Sequence, residues 1–397
     1  MTIMRYSAME LSERLKWFEK HLTEDILAKW FENCQTDKGL FFPHLGRNWG
    51  RLQKDSCSLV SQTRLLYNFA TGYNITGEKK YLDAINKGAD AFLKYFADSQ
   101  NGGWFWSCGM NGAVKEDYKD LYGHAFAIFG LTHATLATER DDLKEAGLDT
   151  WRVVRSRFRD GKGGFLGKLS RSFEILPHTR SQNPIMHLFE ALFALDVLDN
   201  SGFVREDGEE IASFMLDRLF RRKDGVLPEV YNDEWKELSE IDGGRIDVGH
   251  SFEWAYLLSH ANERNWPEYY VKPANILLES SLSLGYDEEN GGIFSPVTPD
   301  GSIEIASKGW WQQCEAIRAL MHFGIIRGRN DVWEPLDKTL NYTQENFLDN
   351  EYGGWFSQPF SGNKDENLYK GSEWKVDYHV VSMCAEAIRL GKMEGIL

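Results

Sequence analysis

The sequence predicts an all-α (α/α)6 barrel, and three observations carry that prediction. A short Gly-centred turn recurs six times, each interval between turns holds two helical stretches, and the two stretches differ consistently in polarity. The turns are Gly39-Leu40-Phe41, Gly103-Trp104-Phe105, Gly164-Phe165, Gly225-Val226-Leu227, Gly292-Ile293-Phe294 and Gly354-Trp355-Phe356, separated by 64, 61, 61, 67 and 62 residues. A near-fixed period of this length marks a repeat architecture.

Each unit has the same order of elements. Polar residues lead into the turn, where glycine supplies a positive φ or a close backbone approach. A short extended piece follows, then two helices. In the first unit the helices are expected over 57–72 and 79–97, and in the third over 183–198 and 207–220. Leu188, Leu192, Leu195 and Leu198 show the helical spacing of apolar residues. The first helix of each pair is apolar nearly all round, as in Ala125-Phe126-Ala127-Ile128-Phe129-Gly130-Leu131, so it should be buried. The second carries charge on one face, as in Tyr81-Leu82-Asp83-Ala84-Ile85-Asn86-Lys87, and should face water. A helix over 11–31 has no inner partner before it and can pair with the helix after Gly354, which favours a closed ring over an open α-solenoid. The repeat runs without a Ser/Gly/Pro-rich linker and predicts a single catalytic domain over 1–397.

Composition narrows the function. Aromatic residues make up 14% of the chain, 14 of them Trp, and filling a wide helical barrel accounts for most. The formal charge of −15 disfavours nucleic acid or an anionic membrane as partner. No apolar run is long enough to span a bilayer and residues 1–10 lack a signal core. The five cysteines (Cys34, Cys57, Cys108, Cys314, Cys384) are scattered, as expected of reduced core residues in a cytoplasmic protein.

Chemically useful side chains recur at one phase of the repeat. Arg64 lies 25 residues after its glycine, His124 21, His187 23, His250 25, Gln313 21 and His379 25. If the inner helices run parallel, these six gather at one end of the ring, and polar groups there need partners or ligand. Glu253 follows His250 by three residues, shares its helix face and is placed to orient it. Tyr122, Trp310 and Trp374 stand beside the same positions, so the set combines polar edges with apolar ring faces, as a sugar pocket does. Glycoside hydrolysis would need two flanking carboxylates; Glu253 is the one at this phase, with Asp120, Asp247 and Asp377 nearby. Histidines, with an ordinary pKa of about 6.5, suit proton abstraction beside a carbonyl instead. A di-metal helix site would need a second His–carboxylate helix beside His250-x-x-Glu253; none is recognised, no Cys pair has zinc spacing, and no phosphate-cradling Gly-rich loop follows a strand. No metal and no cofactor is therefore expected.

At Gln62-Thr63-Arg64, Asp120-Leu121-Tyr122-Gly123-His124, Asn183-Pro184-Ile185-Met186-His187, His250-Ser251-Phe252-Glu253 and Trp374-Lys375-Val376-Asp377-Tyr378-His379, the chain resembles the N-acylglucosamine 2-epimerase superfamily of (α/α)6 barrels. The resemblance covers almost the whole chain and is nearest to its D-mannose isomerase branch. It implies a metal-independent aldose–ketose isomerase that interconverts D-mannose and D-fructose through a cis-enediol(ate), on a small monosaccharide substrate. Epimerisation at C2 of mannose or glucose, N-acylglucosamine or cellobiose stays open beside it. The resemblance also implies an acid/base pair at His250 and His379. Arg64, His187 and Glu253 would bind or polarise the sugar and Trp310 and Trp374 would stack on it, while repeat phase and position add Tyr122, His124 and Gln313 as substrate contacts.

Overall fold

In the computed structural model, residues 8–239, 244–303, 306–359 and 365–395 are described. Six helices form an inner ring: Leu59–Thr76, Leu121–Thr138, Asn183–Leu195, Val248–Glu263, Trp310–Ile326 and Tyr378–Met393. Five outer helices alternate with them: Lys79–Phe96, Asp141–Arg157, Phe203–Phe214, Val271–Gly285 and Trp333–Asn346. The sixth outer element is a continuous rod built from Ala8–Lys20, a π-helical stretch His21–Leu27 and Ala28–Cys34. It packs on Tyr378–Met393, as the first and last elements of a ring should. Each inner helix packs on the next, and the sixth packs on the first.

Side-chain bonds sew that last junction. Asn68 Nδ2 donates to the Val376 carbonyl (2.6 Å), Trp30 Nε1 to Asp377 (2.8 Å) and Ser382 Oγ to the Tyr67 hydroxyl (3.1 Å). The arrangement is the closed (α/α)6 barrel, and the open solenoid is excluded. Several boundaries differ from expectation: the first inner helix runs on to Thr76 rather than ending at 72, and the N-terminal rod spans Ala8–Cys34 rather than 11–31. The third inner helix stops at Leu195 because the chain tightens into a single turn over Asp196–Leu198. The following outer helix begins early, at Phe203, after Gly202 turns the chain with φ +79°.

Burial follows the polarity of the helices. Between Leu121 and Thr138 nearly every side chain is buried, whereas Lys79–Phe96 buries one face through Tyr81, Ile85, Phe92 and Phe96. Among the described residues no helix is long and apolar enough to cross a membrane. All five cysteines are buried and free.

Because every outer helix returns the chain, the inner helices start at one rim. Their first turns are capped there by polar side chains: Ser58 accepts from the Ser61 amide, Asp120 from Gly123 and Asp247 from Gly249. Five of the six repeat glycines have positive φ, as Gly103 (+67°) and Gly354 (+71°) do. Gly164 does not; it is required because a Cβ there would collide with the Trp235 indole.

Four turns are locked by a buried ion pair between a turn Asp and a cation ahead of the next inner helix. They are Lys119–Asp98 (3.0 Å), Arg180–Asp160 (3.5 Å), Lys308–Asp287 (2.7 Å) and Lys370–Asp349 (2.8 Å). Removing one member of such a pair strands the other charge away from water. Lys119→Met is therefore expected to cost about 3 kcal/mol, the low end of the usual range for a broken buried pair, because Asp98 keeps Arg171 and Asn101 as partners. A denaturant midpoint measures this, and the double variant Lys119→Met/Asp98→Asn should recover part of the loss.

Candidate active site

The rim where the inner helices begin surrounds a cavity of about 600 Å³. Arg64, Tyr122, His187, His250, Trp310, Trp374 and His379 all line it. The structure thus brings together most of the residues singled out by repeat phase, and it separates three from that set.

His124 is fully buried and both its nitrogens are engaged. Its Nδ1 donates to the Asp120 carbonyl (2.7 Å), and Nε2 accepts from the Trp104 amide (3.2 Å). Burial drives its pKa down to about 3, so it is a neutral brace. Gln313 does the same work one half-ring away, accepting from the Ile293 amide (2.7 Å) and donating to the Ile293 carbonyl (2.9 Å). Gln62 brackets Phe41 identically. The phase of His124 and Gln313 is thus a position from which an inner helix ties down the residue after its glycine turn, and neither lines the cavity. The third correction is Glu253. It does not hold His250 but lies beneath the cavity, 3.9 Å from His187 Nδ1, fully buried and with neither oxygen hydrogen-bonded among the described residues.

Three histidines face the cavity, each anchored through Nδ1 to a buried carboxylate. His250 meets Glu229 (2.9 Å), His379 meets Glu315 (2.6 Å) and His187 meets Glu190 (3.0 Å). A carboxylate on Nδ1 fixes the ring and its tautomer and leaves Nε2 for chemistry. Glu229 is itself held by Ser181 and Gln182 (both 2.9 Å), Glu190 by the Tyr378 hydroxyl (2.7 Å), and Glu315 by Arg318 (3.4 Å). The Trp311 ring lies against both His250 (4.8 Å between centroids) and His379 (5.4 Å), so one indole spaces the two imidazoles.

Their environments pull these histidines apart. Burial, reinforced by the nearby Arg64 charge, pushes His379 well below the ordinary imidazole range. Burial also takes His187 down to about 4. Burial acts on His250 too, but the charges of Glu229 and Asp247 and the bond to Glu229 outweigh it and raise its pKa. Two groups whose surroundings split them in this way have the makings of a base and an acid. Glu315 is raised to about 7 by burial, with Arg318 opposing and Glu190 assisting, so the Glu315–His379 pair holds its shared proton into the neutral range. Glu253 is raised well above the carboxylate range by burial and by Glu315 and Glu190, which favours its neutral form.

Arg64 is positioned as firmly. It donates to the Tyr122 hydroxyl (2.6 Å) and to the Trp374 carbonyl (2.9 Å), and its guanidinium lies 4.2 Å from the Phe126 ring centre. Trp374 is 54% exposed at the mouth, so an indole face is open at the entrance.

The sequence reading missed Glu229, Glu315, Glu190 and Trp311. Glu190 carries a visible signal, since His187-x-x-Glu190 repeats the spacing of His250-x-x-Glu253 and is a second His–carboxylate helix. Glu315 was visible as a carboxylate inside an apolar inner helix. Glu229 lies in a connection 21 residues before its histidine and had no periodic signal. Donor atoms of His187, Glu190 and Glu253, and of Glu253, Glu315 and His379, lie within 4.8 Å of one another and so could hold a cation. The protein already sets a fixed positive charge beside Glu315, that of Arg318, and spans Glu190 with the His187 hydrogen bond.

The profile of the N-acylglucosamine 2-epimerase (GlcNAc 2-epimerase) family matches residues 39–384. The chain belongs to this family. It is a sugar isomerase or epimerase of the GlcNAc 2-epimerase group, whose substrates are small sugars. Similar proteins include a D-mannose isomerase of Marinomonas mediterranea, 24% identical over 387 residues, which cover 94% of this chain and 96% of that one. A cellobiose 2-epimerase of Bacteroides fragilis is 21% identical over 393 residues, covering 93% and 97%. A crystal structure of a D-mannose isomerase superposes with a TM-score of 0.86 at 22% identity, over 94% of this chain and 97% of the other. At that identity the superposition supports the shared barrel.

Proposed function

We propose that this GlcNAc 2-epimerase family member is an aldose–ketose isomerase that interconverts D-mannose and D-fructose by histidine-mediated proton transfer. The observation that carries the reading is the opposed tuning of His379 and His250 on the two sides of Trp311. The neutral His379, with Nδ1 on Glu315, removes the C2 proton of the open-chain aldose through Nε2 and delivers a proton, exchangeable with solvent at the imidazole, to C1. His250, kept protonated by Glu229, gives a proton to the ring oxygen on opening and shuttles protons on oxygen afterwards. Arg64 and His187 hold O1 and O2, where charge develops in the enediolate; Arg64 supplies the fixed positive charge that stabilises it. Tyr122, Trp310 and Trp374 shape the pocket, and Glu253 is a neutral support under His187. The whole cycle runs on one domain, on side-chain acids and bases alone.

A second reading, 2-epimerisation, has its own observation. His187 is a third imidazole on the cavity with Nδ1 held and Nε2 unengaged among the described residues, so a proton could return to C2 from another face. The test is proton NMR of D-mannose incubated with EDTA-treated protein in deuterated water. Fructose deuterated at C1 supports the isomerase, glucose deuterated at C2 supports the epimerase, and no exchange into any sugar of a panel including N-acylglucosamine and cellobiose overturns both.

The tuning also predicts the pH profile. The base works only deprotonated, so kcat/KM should rise with pH through about 7 as the Glu315–His379 pair loses its proton. The acid works only protonated, so activity should fall again at a pH above the ordinary imidazole value, where the raised His250 gives up its proton. A profile flat between pH 5 and 9 would count against the assignment.

A further inference from the structure

The repeat contains a cation that has lost its structural partner. An antiparallel bridge closes each of five turns: Ala97 with Trp104, Arg159 with Phe165, Arg221 with Val226, Tyr286 with Ile293 and Leu348 with Trp355. The residue after the first bridge partner is Asp98, Asp160, Asp287 or Asp349 in four of them, and Arg222 in the remaining one. Each Asp holds the buried cation described above. Arg245 stands at the cation's place in the unit that lacks the acid. It precedes His250 by five residues, the spacing of Lys119 to His124 and of Lys308 to Gln313, while Arg180 and Lys370 stand seven and nine residues before His187 and His379. Arg222, in the acid's place, is 71% exposed and pairs with Asp217.

Arg245 therefore has no turn carboxylate to close on, and it lines the cavity instead. One terminal nitrogen reaches Asp247 Oδ2 at 3.3 Å, while Nε is buried and without a partner among the described residues. The side chain is 38% exposed, so the guanidinium is partly open to the cavity, and a ligand oxygen there would meet donors beyond the one that Asp247 accepts from.

We propose that Arg245 is a substrate-specificity residue that donates to the hydroxyl oxygens at the C4–C6 end of the sugar. The inference rests on the sugar reading above. Arg64 and His379 belong to the first and sixth inner helices, which are neighbours in the ring, whereas Arg245 precedes the fourth, on the far side from the first. A sugar whose C1 and C2 lie at His379 and Arg64 turns its other end toward Arg245. Hydroxyls fit better than an anionic group, because Asp247 already faces this guanidinium and Glu229 and Asp120 line the same cavity.

The test compares wild type, Arg245→Ala and Arg245→Lys on D-mannose, 4-deoxy-D-mannose and 6-deoxy-D-mannose. The alanine variant should raise KM for mannose about 10-fold with kcat changed less than about threefold, the pattern of lost ground-state binding. Wild type should disfavour at least one deoxy sugar by about 10-fold or more, since a donor left unpaired in the pocket penalises the analogue. That discrimination should vanish in Arg245→Ala and return in part in Arg245→Lys. An unchanged KM, or discrimination that persists in the alanine variant, overturns the proposal and leaves the isomerase reading standing. A wild-type preference for mannose 6-phosphate that depends on Arg245 overturns the hydroxyl assignment in favour of an anion. A wild type that turns over no neutral hexose overturns the functional reading, and this proposal with it.

Discussion

Replacing His379 with alanine is expected to lower turnover by about 10³-fold, within the range a positioned general base contributes. Exchange of the C2 hydrogen with solvent should fall in parallel. The imidazole sits among apolar rings and near Arg64, and both disfavour its charged form, so it serves as base once the Glu315–His379 pair has lost its proton. Glu315 at 2.6 Å fixes which nitrogen carries the proton and orients the other toward substrate. The side chain stands at the cavity wall, so its loss opens space toward solvent, and the unfolding midpoint should stay close to wild type. A variant that keeps a tenth of wild-type activity would remove His379 from the base role. Glu315→Gln supplies an independent check. The amide can still accept from Nδ1 but carries no titrating proton, so the limb near pH 7 should move to lower pH while activity drops.

How much of this was legible in the sequence depends on whether the information was periodic. The barrel was, because a 3.6-residue apolar pattern and a repeated glycine turn are both local, and the glycines carry a steric reason that the structure bears out at Gly103 and Gly354. The cavity-lining positions Arg64, His187, His250 and His379 were also legible, since parallel inner helices convert equal phase into one rim. What phase cannot distinguish is a side chain turned into the cavity from one turned back onto its own strand. His124 and Gln313 share the phase, yet each is consumed by backbone groups of the preceding turn. The carboxylates that tune the histidines were the least legible. Glu229 reaches His250 from a connection, and Glu315 reaches His379 from a neighbouring helix, so both pairings exist only once the ring has closed. Glu253 shows the converse: a helical i, i+3 spacing with His250 suggested a pair, but Glu229 occupies that nitrogen and leaves Glu253 beneath the floor.

Replacing His250 with alanine is expected to cost about 10²-fold in turnover, less than the loss at His379, because its task is proton transfer to oxygen. Ring opening has a slow uncatalysed route in water, whereas removal of a carbon-bound proton has no comparable substitute. The diagnostic is the pH profile. The wild-type fall at high pH belongs to His250, so it should disappear in His250→Ala while the rise through about 7, which belongs to Glu315 and His379, remains. Glu229→Gln should act through the same histidine with a predictable sign. Burial lowers the His250 pKa and the Glu229 charge is the first influence opposing it, so removing that charge must move the upper limb to lower pH and narrow the active range. If His250→Ala instead abolished C2 hydrogen exchange as completely as His379→Ala, both imidazoles would be acting on carbon. The two-base chemistry of a 2-epimerase would then describe the site better than isomerisation.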